Sequence, residues 1–319
     1  MNKIILILLI ILCETLYGQQ DPMNTMFAYN KLQTNPAYAG GRDVLSTRAV
    51  YRYQWVKIAG APQTINVNAH SPLKNERFGV GLSILNDRLG VTNQTWLMGS
   101  VAYRFPFSND SKLSIGMSAG AYFYNIGVTD LFATDPNDPL TQTNIKGVNP
   151  NLGTGIYYYG NKYYVGLGFP NIVPLKYKYD EDISNDNNNQ QVPHMFAMAG
   201  YTFEIGENKN FWIQPQFLSK YVLAQSRKAP FEADFNLTLT LYKMFNFGAS
   251  YRTSIGDKYE DRESIDLMTM FDTRKGFLFA YSYDLTLSKI KQYENGSHEI
   301  MLGYDINVTK KGIRTPRYF

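Results

Sequence analysis

Cysteine occurs once in the 319 residues, as Cys13. No disulfide framework can form from one thiol, and once a leader containing it is removed no thiol chemistry remains. Histidine is nearly as scarce. His70, His194 and His298 are the whole set, far apart in the chain and without ligand spacing such as H-x-x-E-H, so the sequence offers no metal centre and no cofactor site. An excess of one charge is also missing: the formal net charge is +4. That is too small on a chain of this length to argue for nucleic acid or for a polybasic membrane anchor. Beyond residue 12 no apolar run approaches the ~20 residues of a spanning helix.

What is present begins with MNKIILILLIILCETLYGQQ. Lys3 supplies a positive start and residues 4–12 an apolar stretch of signal-peptide length, so the pattern predicts a signal peptide over 1–18 and export. Leu12 stands where a lipoprotein needs a small residue before its acylated cysteine, which argues against lipidation at Cys13. Residues 19–43 form an N-terminal segment, read as a short helix or a plug. Asp21 and Pro22 suit a helix start, and Met23, Met26, Phe27 and Asn30 follow at helical spacing. Residues 44–319 are read as one domain.

That domain is rich in tyrosine (25), phenylalanine (19) and glycine (25) over the whole chain, and it is apolar only at every second position. In RFGVGLSILN, Phe78, Val80, Leu82 and Ile84 alternate with Gly79, Gly81 and Ser83. In FNLTLTL, Phe235, Leu237, Leu239 and Leu241 oppose Asn236, Thr238 and Thr240. Period two is the strand signal. Counting such segments between turn signals predicts an all-β, transmembrane antiparallel β-barrel of about 14 strands in an outer membrane, with outward residues meeting lipid and inward ones a polar lumen. Gly160-Asn161 marks a tight hairpin. Two longer loops interrupt the series, Thr129 to Asn149 and Lys176 to Gln191.

One literal motif tests this reading. Residues 116–120 read GMSAG, the G-x-S-x-G of hydrolase nucleophile elbows. The elbow needs a strand-to-helix turn at its serine, yet alternation runs unbroken through Ser118. Gly116, Ser118 and Gly120 therefore belong to the inward face of a strand. A barrel esterase using Ser118 stays open as an alternative, since His194 and His298 follow it in the chain. A diffusion porin is another, because Arg52, Arg104, Asp284 and Asp305 have inward parity; the same charges would equally pair across a plugged lumen. Asp130, Asp135 and Asp138 in one loop, and Asp180, Glu181, Asp182 and Asp186 in the other, carry calcium-type oxygen ligands without EF-hand spacing.

Several stretches carry a resemblance over the whole mature chain. They are NPAYAG at 35–40, RYQWVKIAGAPQT at 52–64, SPL at 71–73, GLSILNDRLG at 81–90, SHEIMLGY at 297–304 and the closing PRYF at 316–319. Together they resemble the PorP/SprF family of outer-membrane proteins, which accompany type IX secretion and gliding motility in diderm bacteria. The segment MNTMFAYNKLQ follows that pattern only loosely. The resemblance implies a non-enzymatic barrel whose partners, besides outer-membrane lipid, are a secreted surface adhesin or its C-terminal domain, the type IX translocon and periplasmic motor-associated lipoproteins. On the same ground it implies partner binding by Asn35, Pro36, Ala37, Tyr38, Gly40, Arg52, Gln54 and Trp55. By residue type alone, NPAYAG is also a turn, and Trp55 with Tyr51 and Tyr53 is an interfacial girdle.

Overall fold

Each alternating segment makes a strand with one oily face, and joining the strands edge to edge in a closed ring leaves no ladder unpaired in hydrocarbon. The computed structural model describes residues 23–74, 76–107, 110–130, 142–176, 190–191, 193–223, 231–256, 259–273 and 275–308. Its strands are β1 (Leu45–Tyr53), β2 (Gln63–Pro72), β3 (Phe78–Leu89), β4 (Thr92–Pro106) and β5 (Lys112–Ile126). Next come β6 (Ile145–Tyr159), β7 (Tyr163–Phe169), β8 (His194–Tyr201, continued by Phe203–Ile205), β9 (Phe211–Val222) and β10 (Phe231–Leu241). The last four are β11 (Phe245–Gly256), β12 (Tyr259–Asp272), β13 (Phe277–Thr286) and β14 (Ser297–Ile306).

Each strand pairs antiparallel with the next, and β1 closes on β14 from Leu45 opposite Ile306 to Tyr53 opposite His298. The ring thus holds the 14 strands expected from the alternation. The break inside β8 falls at Thr202, whose N–H bonds instead to the Lys162 carbonyl at 2.6 Å. One boundary differs from the sequence reading. Residues 145–149 had the look of loop, yet Ile145 to Asn149 pair with Ile126 to Tyr122 and extend the β5–β6 hairpin. Their side chains alternate between half-buried and exposed, so this stretch has no apolar face for a pattern to reveal.

Parity holds where it was expected. Ser118 is 6% exposed while its neighbour Met117 is 67% exposed, so the GMSAG serine faces the lumen and the methionine faces lipid. Outward residues such as Ile65, Val67, Leu82, Val101, Leu237 and Leu302 form the apolar belt. Aromatic pairs ring one rim: Phe78–Tyr103 at 4.9 Å, Tyr201–Phe203 at 4.6 Å, Phe245–Phe271 at 5.1 Å and Phe277–Tyr304 at 4.4 Å between ring centres. Such girdles sit at the membrane–water boundary. At this rim every connection is short, 73–77, 107–111, 160–162, 206–210, 242–244 and 273–276, while the two-residue connections 90–91 and 257–258 lie at the other end. The long connections 127–144 and 170–193 lie at the opposite mouth, together with 54–62 and 287–296.

Candidate functional site

The lumen is occupied by the chain's own N-terminal segment. Residues 23–43 contain three single 3-10 turns, Phe27–Tyr29, Lys31–Gln33 and Pro36–Tyr38, and the segment's described part has no α-helix. Asp21 and Pro22, the proposed helix start, lie outside the described residues, as do the signal peptide and the closing PRYF. Nearly every residue from Met23 to Arg42 is buried. The segment runs from the long-loop mouth at Met23 to the short-turn rim at Asp43.

Its upper end is held by charge. The Thr25 hydroxyl donates to Asp284, and the backbone N–H groups of Thr25 and Met26 donate to Glu299 at 2.9 and 3.1 Å. Arg52 ties these together: it donates to Thr25 Oγ1 at 3.0 Å and pairs with Glu299 at 3.0 Å and Asp284 at 2.6 Å. Beside it Arg252 pairs with Asp234 at 2.8 Å. Arg52, Asp284, Glu299, Arg252 and Asp234 each have an opposite charge and a hydrogen bond, the condition under which burial is tolerated. The buried Asp266 has its cation, Arg252, farther off at 3.7 Å.

Lower down, the fit is steric. A Cβ on Gly116 would collide with the backbone of Ala37, and one on Gly79 with the Ala39 carbonyl. Only glycine lets the plug backbone approach the wall so closely. Asn35 caps the third turn by accepting from the Ala37 N–H at 3.0 Å, and its amide donates to the Ile156 carbonyl at 3.1 Å. Ser114 Oγ donates to the Ala37 carbonyl at 2.6 Å. Tyr38 meets Tyr157 edge-to-face at 5.5 Å. Lys31, buried, donates to the Ala28 carbonyl and stands 4.5 Å from the centre of the Tyr164 ring, a cation–π contact.

At the short-turn rim Gly40, with φ of +74°, turns the chain toward β1. Its N–H donates to His70 Nδ1 at 3.1 Å, and its carbonyl accepts from Arg104 at 2.6 Å. Arg104 also pairs with Asp43 at 3.0 Å, and Asp305 takes both Arg42 and Arg48 at 2.9 Å. All four inward charges noted in the sequence, Arg52, Arg104, Asp284 and Asp305, thus bond to residues of the plug.

The residues marked for partner binding fall into two groups. Asn35, Pro36, Ala37, Tyr38 and Gly40 are buried between plug and wall, and Arg52 is buried among the acids above them. Gln54 and Trp55 stand apart at the long-loop mouth. There they line a vestibule of about 1280 Å³, counting its open entrance, with Met23, Asp87, Lys220 and Glu263. The Trp55 N–H donates to Ser297 Oγ at 3.2 Å, and the Val56 N–H to the Gly296 carbonyl at 3.0 Å. These bonds fix the β1–β2 turn against the β13–β14 connection.

Ser118 lines a cleft in which no acid or histidine is found among the described lining residues. Of the histidines, His70 accepts from the plug and His298 bonds Tyr281 Oη at 2.7 Å. Among the described residues no group of three or more His, Cys, Asp or Glu is placed to hold a metal ion. Asp135, Asp138, Asp180, Glu181, Asp182 and Asp186 lie outside the described residues. Sequence reasoning missed Thr25, Glu299, Asp234 and Arg252. Glu299 was open to discovery, since it has inward parity in SHEIMLGY; Thr25 carried no signal.

One solved structure shares the architecture, and others are more distantly similar. The "TodX deltaS2S3 mutant monoaromatic hydrocarbon channel" has a TM-score of 0.52 at 10% identity, with 90% of this chain and 95% of that chain covered. A Pseudomonas aeruginosa FadL homologue reaches 0.46 at 10% identity, covering 90% and 95%, and the KdgM porin 0.35 at 10% identity, covering 82% and 98%. At such identity the likeness is one of fold. None of the curated proteins compared with the chain matches it. The family model described as "Type IX secretion system membrane protein PorP/SprF" matches residues 16–304, so this plugged outer-membrane barrel belongs to the PorP/SprF family.

Proposed function

We propose that the chain serves type IX secretion as a non-enzymatic partner barrel, holding or passing a large surface adhesin or motility protein through that protein's C-terminal domain. It works there with the translocon and with periplasmic motor-associated lipoproteins, and the leader 1–18 brings it to the outer membrane. One observation carries the reading beyond family membership: every inward charge noted in the sequence is bonded to the chain's own N-terminal segment. A diffusion porin uses such charges to line water; here they fix a plug. What is left for a partner is the mouth. Long loops of outer-membrane barrels face outward and short turns face the periplasm, which puts Gln54, Trp55 and the vestibule on the cell surface.

The test is a deletion strain whose surface and secreted proteins are quantified against its parent, complemented with the native chain or with Gln54→Ala/Trp55→Ala. Loss of one adhesin from the surface, restored by the native chain alone, is the expected result. Retention of the whole type IX cargo set inside the cell would make the barrel a general part of the export machine. An unchanged surface proteome would overturn the proposal.

A further inference from the structure

Inward positions of the wall mix polar side chains with buried apolar ones, and apolar residues such as Tyr157, Phe196, Met268 and Met301 belong to one cluster with the plug. On β3 to β5 the apolar residues form another. Leu85, Trp96, Met98, Tyr122 and Tyr124 pack there as a second apolar cluster, separate from the one that includes the plug. Trp96 and Tyr122 are 4.8 Å apart between ring centres. This side wall borders an open space. Between it and the plug lies a small cleft of about 60 Å³, whose apolar lining includes Leu32, Pro36, Leu85, Trp96, Met98 and Phe196.

Two features define what this cleft can take. First, none of its lining residues is ionisable, although Arg52, Arg252 and their acids stand in the same lumen. An ion moved into it would lose hydration with no opposite charge to meet, a penalty that excludes charged ligands. Second, its polar side chains come from the plug (Gln33, Thr34), the wall (Ser83, Ser100, Ser118) and Asn171. Ser100 and Ser118 are directly opposed on β4 and β5, so their hydroxyls come from adjacent inward positions of one wall. Mostly apolar walls with a few convergent hydroxyls are the composition of small-molecule sites.

We propose that the cleft binds a neutral, chiefly apolar small molecule about the size of one aromatic ring or a short alkyl chain, with its polar group directed at Ser100 and Ser118. A cleft of about 60 Å³ is smaller than the ~150 Å³ that encloses benzene, so a ring is held at one edge with the rest in the mouth, and a long lipid is excluded. The GMSAG serine is then a hydrogen-bonding group of a binding site, and no bond is made or broken there.

Trp96 is both wall and reporter. The chain has three tryptophans, Trp55, Trp96 and Trp212, so Trp55→Phe/Trp212→Phe leaves the cleft residue as the sole one. The barrel is placed in lipid nanodiscs, because detergent tails would compete, and titrated with 4-bromobenzyl alcohol, whose bromine quenches tryptophan on contact. Expected is saturable quenching, at least tenfold weaker in apparent affinity for 4-bromobenzoate, and abolished by Ser100→Phe in a barrel that still shows heat-dependent gel mobility. Should that variant not fold, Met98→Phe and Ser118→Leu fill the cleft from the same wall and serve in its place. Linear, unsaturable quenching would mean partition into lipid only. That result, equal quenching by the carboxylate, or quenching indifferent to the filled variants would each overturn the proposal.

Discussion

Thr25 and Asp284 lie 259 positions apart, and the threonine hydroxyl donates to both carboxylate oxygens at 3.0 and 2.9 Å. Arg52 reaches the same hydroxyl and the same carboxylate. Three elements distant in sequence are thereby fixed at one point: the plug tip, the end of β1 and the end of β13. The barrel and its stopper are a single bonded unit at that end.

Breaking this unit has a direction. Arg52→Ala leaves Asp284 and Glu299 buried without their cation, and removing one partner of a buried pair costs about 3–5 kcal/mol. The cheapest relief is for the plug tip to leave the lumen. We expect the native barrel to be nearly silent in a planar bilayer, and Arg52→Ala with Thr25→Val to show frequent openings. A large steady conductance in the native chain would contradict a seated plug.

The wall glycines give a second prediction. Gly116→Val places a branched side chain where the Ala37 backbone lies, and the plug cannot yield without losing the Asn35 and Ser114 bonds. Overpacking of this kind costs typically 1–3 kcal/mol. The variant should show lowered resistance to heat-induced unfolding on gels, whereas Met117→Leu, one residue away on the lipid face, should behave as the native chain.

Orientation is testable because cysteine is nearly absent. Cys13 is the only one and falls within the predicted leader. Gln54→Cys at the long-loop mouth should react in whole cells with a membrane-impermeant maleimide, and Lys275→Cys in the 273–276 turn should react only after the outer membrane is opened. The reverse pattern would invert the barrel.

Ser118 supplies a fourth. With no acid or histidine among the described residues of its cleft, Ser118→Ala should leave surface-protein display unchanged and remove no lipid hydrolysis from purified barrel. A hydrolytic activity lost with this hydroxyl would restore the esterase reading.

Much of the fold was legible from the chain alone, and the reason is local. Side-chain direction alternates within each strand whatever the rest of the chain does, so Ser118 could be assigned to the lumen and Met117 to lipid from parity. Where alternation had no apolar partner the reading failed. Residues 145–149 pair as strand beyond the oily belt and had passed for loop. Residues 19–43 were read as a short helix or a plug, and the three 3-10 turns found there are too short to carry a period that would have separated the two.

The candidate site was only half visible. Arg52, Arg104, Asp284 and Asp305 showed inward parity, but an open pore and a plugged one predict the same parity. Nothing in NPAYAG states that Ala37 rests on Gly116 or that Gly40 bonds His70. The sequence by itself determined a closed, 14-stranded wall with lipid on one face and a lumen on the other, because period two and turn residues act over a few neighbours. Only the tertiary structure decided that the lumen is filled, which charges meet, and that the apolar inward side chains fall into two clusters. Those depend on bringing together residues hundreds of positions apart, where bonding follows the barrel's closure and leaves no repeat in the chain to read.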